Sequence, residues 1–120
     1  MWRIDRTEEI INWITELDAD AKEALYKNLL ILKEFGPVLG RPYVDSVKES
    51  KHKNMKELRI SNKKRVFRIL FAFDPERTAI LLIGGDKRGD KKFYERMIPI
   101  VDRLFEQHLA KLRKKHENAS

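Results

Sequence analysis

The chain has 120 residues, of which 38% are charged and 42% are hydrophobic, and its formal net charge is +7. This length predicts a single domain over residues 1–120, and the hydrophobic fraction suits a folded core and excludes a disordered chain. The sequence contains no cysteine, which excludes disulfides, thiol catalysis and thiolate metal sites. We expect a cytoplasmic protein without a membrane span, because the apolar runs are only as long as strands and no signal-peptide pattern begins the chain.

Positive charge is concentrated in the second half of the chain. Residues 1–54 carry a net charge of −1, whereas residues 55–120 carry +8. A basic surface of this kind attracts phosphate-rich partners over a long range. Charge alone does not identify the partner.

The first third of the chain predicts a short strand followed by two helices. Residues 2–5 alternate between apolar and polar, and Thr7 has the residue type and position of a helix N-cap. Asp18 or Asp20 is expected to cap a second helix that ends at Gly36. The very short connection predicts an antiparallel helical hairpin. The residues expected on its buried side are Ile10, Trp13, Ile14, Leu17, Ala21, Leu25, Leu29, Leu32 and Phe35.

The middle of the chain predicts an irregular loop and then three strands. Residues 38–54 lack a regular pattern and are basic near their end, so we expect a surface loop with at most one helical turn. The strands are predicted over residues 55–60, 64–73 and 78–84. Residues 74–77 form a turn with proline at the second position, so the three strands should form an antiparallel meander.

The first hairpin of this meander predicts which side chains share a face. A loop at residues 61–64 would place Leu58 opposite Phe67 and Glu57 opposite Arg68. An ion pair between Glu57 and Arg68 would then be a structural feature as readily as a catalytic one. The residues expected on the apolar face are Leu58, Ile60, Phe67, Ile69, Phe71 and Phe73. The residues expected on the opposite, partly cationic face are Glu57, Arg59, Val66, Arg68 and Leu70.

A glycine-rich segment follows the last predicted strand. Gly84 and Gly89 have the spacing of a nucleotide-binding phosphate loop, but Asp90-Lys91 follows in place of lysine and serine or threonine, so that motif is absent. Gly84 and Gly85 are therefore expected to end the strand and let the backbone turn.

A final helix is expected to begin at Asp90. Pro99 lies inside it and should kink or restart it, and residues 111–120 are expected to form a basic, frayed tail. The apolar side of this helix is expected to consist of Phe93, Met97, Val101, Leu104, Phe105 and Leu112.

The three histidines do not suggest a metal site. His108 is expected at the edge of the core, and His52 and His116 are expected in solvent. No pair has the spacing of metal ligands, and we predict neither a metal nor another cofactor.

This order of elements, together with particular residues, resembles the RelE/ParE superfamily of bacterial toxins and is most similar to its HigB-like branch. Arg68 precedes an aliphatic and aromatic run, Lys87 and Arg88 follow the next strand, and Tyr94 comes six residues after Arg88. RelE-type members have a similar pattern. The resemblance covers nearly the whole chain and implies an α+β, RelE-like fold.

The resemblance also implies a function. It implies the toxin of a type II toxin–antitoxin system, which acts as a metal-independent, ribosome-dependent endoribonuclease on translated mRNA. A HigA-like helix-turn-helix antitoxin would neutralise it and would be its only link to operator DNA. The same fold also serves ParE-like inhibitors of DNA gyrase, and a non-catalytic module that binds RNA or an antitoxin is a further alternative.

The resemblance implies catalytic roles for four residues. Arg68 and Arg88 would contact phosphate oxygens, and Lys87 would stabilise charge or act as an acid. Tyr94 would be a general base or a stacking platform, and as a base it would need nearby cations to lower its pKa. Several RelE-type enzymes have lysines on the first strand of the meander, where this chain has Glu57. The candidates for the general base are therefore Tyr94, Lys87 and Glu57. The residues expected to contact RNA or the ribosome are Lys51, His52, Lys53, Lys56, Arg59, Lys91 and Lys92.

Overall fold

Five strands form a mixed sheet with helices on both faces in the computed structural model, which describes residues 1–119. The strand order is β1-β5-β4-β3-β2; β1 pairs with β5 in parallel, and all other neighbours are antiparallel. The elements in chain order are β1 (Arg3–Arg6), α1 (Glu8–Thr15), α2 (Ala19–Phe35), a 3₁₀ turn (Gly36–Val38), β2 (Val44–Ser46), β3 (Lys56–Asn62), β4 (Arg65–Phe73), β5 (Thr78–Asp86) and α3 (Phe93–Ala119). The predicted order of elements, with a strand, two helices, a meander and a final helix, is confirmed.

The first two helices begin at the predicted caps. The Thr7 hydroxyl accepts a hydrogen bond from the Ile10 N–H at 3.1 Å, and the Asp18 carboxylate accepts one from the Ala21 N–H at 2.9 Å. Each cap satisfies a backbone donor that the first turn of a helix leaves free. Gly36, with a φ of 60°, ends α2 as predicted.

Two hydrophobic cores lie on opposite faces of the sheet. The core under α1 and α2 consists of Ile10, Ile14, Ala21, Leu25, Leu32, Val44, Leu58, Ile60, Phe67, Ile69, Phe71, Ala79 and Leu81. The core under α3 consists of Val47, Met55, Leu70, Ala72, Ile80, Leu82, Phe93, Ile98, Val101, Leu104 and Phe105. Phe35, which was expected in the first core, is 54% exposed at the end of α2, so that prediction is wrong.

The loop predicted over residues 38–54 contains a strand that sequence patterns did not indicate. β2 is an edge strand that pairs with β3, with Val44 opposite Leu58. Three residues are too few to show an alternating pattern, so only the pairing identifies β2.

The β3–β4 hairpin has a tighter turn than predicted. Lys63 has a φ of 57°, an unusual value for lysine, and allows a two-residue loop. Arg59 therefore lies opposite Arg68, and Glu57 lies opposite Leu70. The predicted pairs are wrong by two positions, but a shift of two keeps every side chain on its predicted face.

The two glycines at the end of β5 do not end the strand, contrary to prediction, because β5 continues to Asp86. A Cβ on Gly84 would lie 2.6 Å from the Trp13 ring, and one on Gly85 would lie 3.0 Å from Phe93 and Met97. These glycines therefore allow α1 and α3 to lie close to the sheet on opposite faces.

Replacing Gly84 by alanine is expected to lower the free energy of unfolding by about 1–3 kcal/mol, because the added methyl group overlaps the Trp13 ring. Urea unfolding followed by tryptophan fluorescence would measure this change. Gly40→Ala is the control, since a Cβ there meets no atom within 4 Å, and its effect should stay within about 0.5 kcal/mol. Equal midpoints for the two variants would contradict the packing role of Gly84.

The final helix differs from its prediction at both ends. It begins at Phe93, after a turn in which the Asp90 carboxylate accepts a hydrogen bond from the Lys92 N–H at 3.2 Å. It does not restart at Pro99, and the predicted tail is helical as far as Ala119; Ser120 lies outside the described residues. None of the helices within residues 1–119 is both long enough and apolar enough to cross a membrane.

The histidines occupy two environments. His108 is partly buried, as expected, and its Nε2 lies 2.8 Å from an Asp74 carboxylate oxygen. His116 is exposed, also as expected. His52 is not in solvent as predicted, because its ring packs edge-on against Phe105 with the ring centres 5.0 Å apart.

Candidate active site

Arg68 is a buried cation in the central strand of the sheet. Only 5% of its surface is exposed, and its Nη1 donates a hydrogen bond to the Phe67 carbonyl at 2.9 Å. Its Nε has no hydrogen-bond partner within the described part of the chain. Buried polar atoms are almost always paired, so a buried donor without a hydrogen bond makes Arg68 a candidate functional residue.

Glu57 lies between two arginines on the same face of the sheet. Its carboxylate oxygens are 3.8 Å from the Arg68 Nε and 3.9 Å from the Arg59 Nε, and the residue is 6% exposed. Because Arg59 and Arg68 are cross-strand neighbours, Glu57 meets Arg68 diagonally, which long side chains can span. The predicted ion pair is therefore present through a different register, and its negative charge separates two facing cations.

Tyr94, in the first turn of α3, completes this group. Its hydroxyl donates a hydrogen bond to a Glu57 carboxylate oxygen at 2.5 Å. Burial and the Glu57 carboxylate raise the pKa of Tyr94 to about 12, although Arg68 acts in the opposite direction. The pKa is thus raised, whereas a tyrosine base would need it lowered. Tyr94 is protonated at neutral pH and is a hydrogen-bond donor.

The close contact between α3 and β5 positions Tyr94 beside the arginines. Gly85 lies opposite Arg68 on the neighbouring strand, and the space above Gly85 is filled by Phe93 and Met97 from α3. A side chain at Gly85 would push this first helical turn away from the sheet. The glycine therefore positions Tyr94 as well as closing the core.

Lys87 and Arg88 follow β5 in a turn organised by Asp86. One carboxylate oxygen of Asp86 accepts hydrogen bonds from the Val66 N–H at 3.0 Å and the Arg88 N–H at 3.1 Å. The Lys87 Nζ lies 5.2 Å from the centre of the Tyr94 ring. Arg88 is exposed, and its side chain has no hydrogen bond or ion pair within residues 1–119. It directly follows Lys87 in this turn.

A cleft of about 230 Å³ adjoins this group. Asp45 and Glu49 line it together with Glu57 and Tyr94. Sequence patterns gave no indication that Asp45 and Glu49 lie beside Glu57, because the strand β2, which contains Asp45, was itself not predicted. A larger apolar cavity of about 340 Å³ lies beside β1 and α2 and includes none of the residues in the Glu57 group.

The residues predicted to contact RNA fall into three places. Arg59 belongs to the Glu57 group, and Lys91 and Lys92 are exposed in the turn just before α3. Lys56 alternates with Glu57 along β3 and therefore lies on the opposite face of the sheet, away from the cluster.

The remaining predicted contacts, Lys51, His52 and Lys53, lie beside Phe73 and Phe105 at the other end of the α3 face. Phe105 lies eleven positions after Tyr94 along α3, which corresponds to about 16 Å along the helix axis. These three residues are therefore separate from the Glu57 group.

Sequence comparison identifies relatives of the whole domain. Residues 12–106 match the model of the family described as Phage derived protein Gp49-like (DUF891). The “Putative toxin HigB2” of Mycobacterium tuberculosis is 45% identical over 111 residues, covering 91% of this chain and 55% of the relative. The “Putative toxin HigB3” of the same organism is 47% identical over 103 residues, covering 85% of this chain and 89% of the relative. The chain thus spans about half the length of the first relative and most of the second.

Structural comparison identifies the fold. The structure of a doubly substituted E. coli toxin RelE in the free state matches 86% of this chain and 97% of that chain, with a TM-score of 0.58 and 15% identity. RelE in the archaeal RelE-RelB complex from Pyrococcus horikoshii OT3 matches 73% of this chain and 97% of that chain, with a TM-score of 0.55 and 12% identity. At these identities the likeness concerns the fold, and it confirms the RelE-like expectation. The chain therefore belongs to the family described as Gp49-like, is HigB-like in sequence and has a RelE-like fold.

Proposed function

We propose that this chain is the toxin of a type II toxin–antitoxin system and that it cleaves mRNA on the ribosome in the cytoplasm. The hydrogen-bonded group of Glu57, Tyr94 and Arg68 carries the proposal, because it combines a carboxylate, a protonated phenol and a buried cation with a free donor. These groups can catalyse the attack of an RNA 2′-oxygen on the adjacent phosphate, because they can accept a proton, donate a proton and stabilise negative charge. The identity to proteins named HigB toxins supports the toxin role.

Two arginines would bind the reacting phosphate. The Arg68 guanidinium, whose Nε has no hydrogen bond among the described residues, would bind one non-bridging oxygen, and the exposed guanidinium of Arg88, next to Lys87 in the chain, would bind the other. Guanidinium groups present several donors in a fixed plane and keep their charge, so they can stabilise the crowded phosphorane. Lys87 adds a further positive charge beside Tyr94.

Protons would move between Glu57 and Tyr94 in a closed cycle. The Glu57 carboxylate takes the proton of the 2′-hydroxyl, whose oxygen then bonds to phosphorus. As the bond from phosphorus to the 5′-oxygen breaks, the Tyr94 hydroxyl gives that oxygen its proton. Glu57 returns its proton to Tyr94 through the hydrogen bond of 2.5 Å, leaving a 2′,3′-cyclic phosphate and a 5′-hydroxyl. Because its pKa is raised to about 12, Tyr94 carries at neutral pH the proton that this step transfers.

The proposed partner is a HigA-like helix-turn-helix antitoxin. Support comes from the shared fold, since RelE from P. horikoshii was solved as a complex with RelB. Operator DNA would be bound by the antitoxin, and the chain itself would meet mRNA and the ribosome.

Mapping mRNA ends after brief expression of the chain would test the proposed function. We expect cuts in phase with codons that disappear when translation is stopped before expression. Intact mRNA accompanied by broken DNA would overturn the nuclease and indicate gyrase poisoning. Intact mRNA and intact DNA together with tight RNA binding would overturn it in favour of a non-catalytic module.

Replacing Tyr94 by phenylalanine is expected to slow cleavage by about 10²-fold, because the variant keeps the ring beside Lys87 but loses the proton donor. Single-turnover cleavage of mRNA on purified ribosomes would measure the loss. Tyr26→Phe is the control, since Tyr26 is 48% exposed on α2, away from the cluster. If Tyr94→Phe cleaves as fast as the wild type, the hydroxyl does not transfer a proton.

A further inference from the structure

The loop between β2 and β3 is fixed to α3 by a buried carboxylate. Asp102 is only 5% exposed, and one of its oxygens accepts a hydrogen bond from the Ser50 hydroxyl at 2.5 Å. Its other oxygen accepts one from the Lys51 N–H at 3.1 Å. Burying a carboxylate is unfavourable unless hydrogen bonds compensate, and here the compensating bonds come from the loop.

Further contacts hold the same loop at its centre and its ends. The His52 N–H donates to the Ser50 hydroxyl oxygen at 3.0 Å, and the Met55 N–H donates to the His52 carbonyl at 3.1 Å. The Val47 N–H closes the loop by donating to the Met55 carbonyl at 2.9 Å. These hydrogen bonds hold the loop backbone, residues 47–55, in a defined conformation that forms a platform. Lysines that served only solubility would not need to be held in this way.

This platform presents cations that have no acidic partner. Lys51 and Lys53 are exposed, and neither side chain has a hydrogen bond or ion pair among the described residues. They line a cleft of about 410 Å³ together with Phe105, Leu109 and Asp74, and the Asp74 carboxylate is paired with His108. Arg113 lies one helical turn beyond Leu109 on the same side of α3, so it extends the positive surface.

We propose that this loop, anchored by Asp102, is a second phosphate-binding site that grips the RNA backbone outside the catalytic group. RNA as the ligand rests on the proposed function. Phe73 lies five positions after Arg68 along β4, which corresponds to about 17 Å and agrees with the separation of about 16 Å along α3. The site therefore contacts a phosphate other than the one that is cleaved, or phosphates of ribosomal RNA, and positions the protein without taking part in the reaction.

The salt dependence of binding tests this site directly. The probe is a short fluorescein-labelled RNA with 2′-O-methyl groups, which cannot be cleaved because it lacks the nucleophile. The double variant Lys51→Gln/Lys53→Gln should lower the slope of log K against log salt by about 1.4, since each phosphate contact with single strands contributes about 0.7. The control Lys22→Gln/Lys27→Gln removes the same charge from α2 and should leave the slope near that of the wild type.

A second variant distinguishes the effect of the Asp102 anchor on RNA binding from the effect of net charge alone. Asp102→Asn raises the net charge, so simple electrostatic attraction predicts tighter binding. Loss of the anchor predicts weaker binding, by about 5-fold, if releasing the loop costs about 1 kcal/mol of ordering. Ser50→Ala loosens the same anchor without a charge change and should also weaken binding, and thermal unfolding would verify that both variants are folded.

Two results would overturn the proposal: an unchanged salt slope in the lysine double variant, or tighter binding by folded Asp102→Asn together with unchanged binding by Ser50→Ala.

Sedimentation with mRNA-free ribosomes distinguishes the sources of phosphate. Loss of sedimentation by the double variant indicates ribosomal RNA, and retention with a reduced salt slope indicates mRNA. These measurements need no cleavage, so their failure leaves the proposed nuclease intact, and failure of the nuclease leaves the RNA-binding site intact.

Discussion

Replacing Arg68 by lysine is expected to reduce mRNA cleavage by about 10²- to 10³-fold. Lysine keeps the positive charge beside Glu57, but it loses the planar guanidinium and the Nε donor that has no partner within residues 1–119. The loss should appear in the rate of the chemical step, measured under single-turnover conditions at saturating ribosomes. Retention of charge limits the damage to folding, because Glu57 is not left buried without a cation.

Arg65→Lys is the matched control for this prediction. Arg65 lies on the same strand, but it pairs with Asp18 at 2.8 Å, outside the Glu57 group. Its replacement should leave cleavage within about 3-fold of the wild type, since exposed ion pairs contribute little. Wild-type cleavage by a folded Arg68→Lys would show that the guanidinium does not bind the reacting phosphate.

Features of the fold that depend on neighbouring residues could be predicted from the sequence. Thr7 and Asp18 cap their helices because a short polar side chain satisfies N–H groups only three residues further on. The faces of β3 and β4 were also predictable, because a period of two survives an error of two positions in register. The pairs themselves depended on the positive φ of Lys63, which lysine adopts too rarely to be expected.

Features that depend on distant parts of the chain were not predictable in the same way. Glu57 and Tyr94 are 37 residues apart, and no local pattern reports their hydrogen bond. The sequence identified Glu57 only as one of three possible bases, and it predicted that Tyr94 would need cations to lower its pKa. Burial and the facing carboxylate raise that pKa instead, and both effects arise only when α3 closes over the sheet.

Replacing Glu57 by glutamine is expected to slow cleavage by about 10²- to 10⁴-fold, the usual contribution of a general base. Glutamine can still accept the Tyr94 hydrogen bond through its carbonyl oxygen, but it cannot take a proton from the 2′-hydroxyl. The loss should appear in kcat, whereas KM should change little. Loss of the Tyr94 proton at alkaline pH is expected only near pH 12.

Glu49→Gln is the matched control, because Glu49 lines the same cleft but is exposed, and its replacement should leave kcat and KM near the wild-type values. The Glu57 variant also removes the negative charge between Arg59 and Arg68, so it should unfold more easily, by about 1–3 kcal/mol. Assays must therefore be made well below its unfolding temperature. If the folded variant shows a higher KM but keeps kcat, Glu57 only orients the two arginines and the base is another group. If kcat falls while KM is unchanged, the carboxylate that holds the arginines in place also takes the proton from RNA.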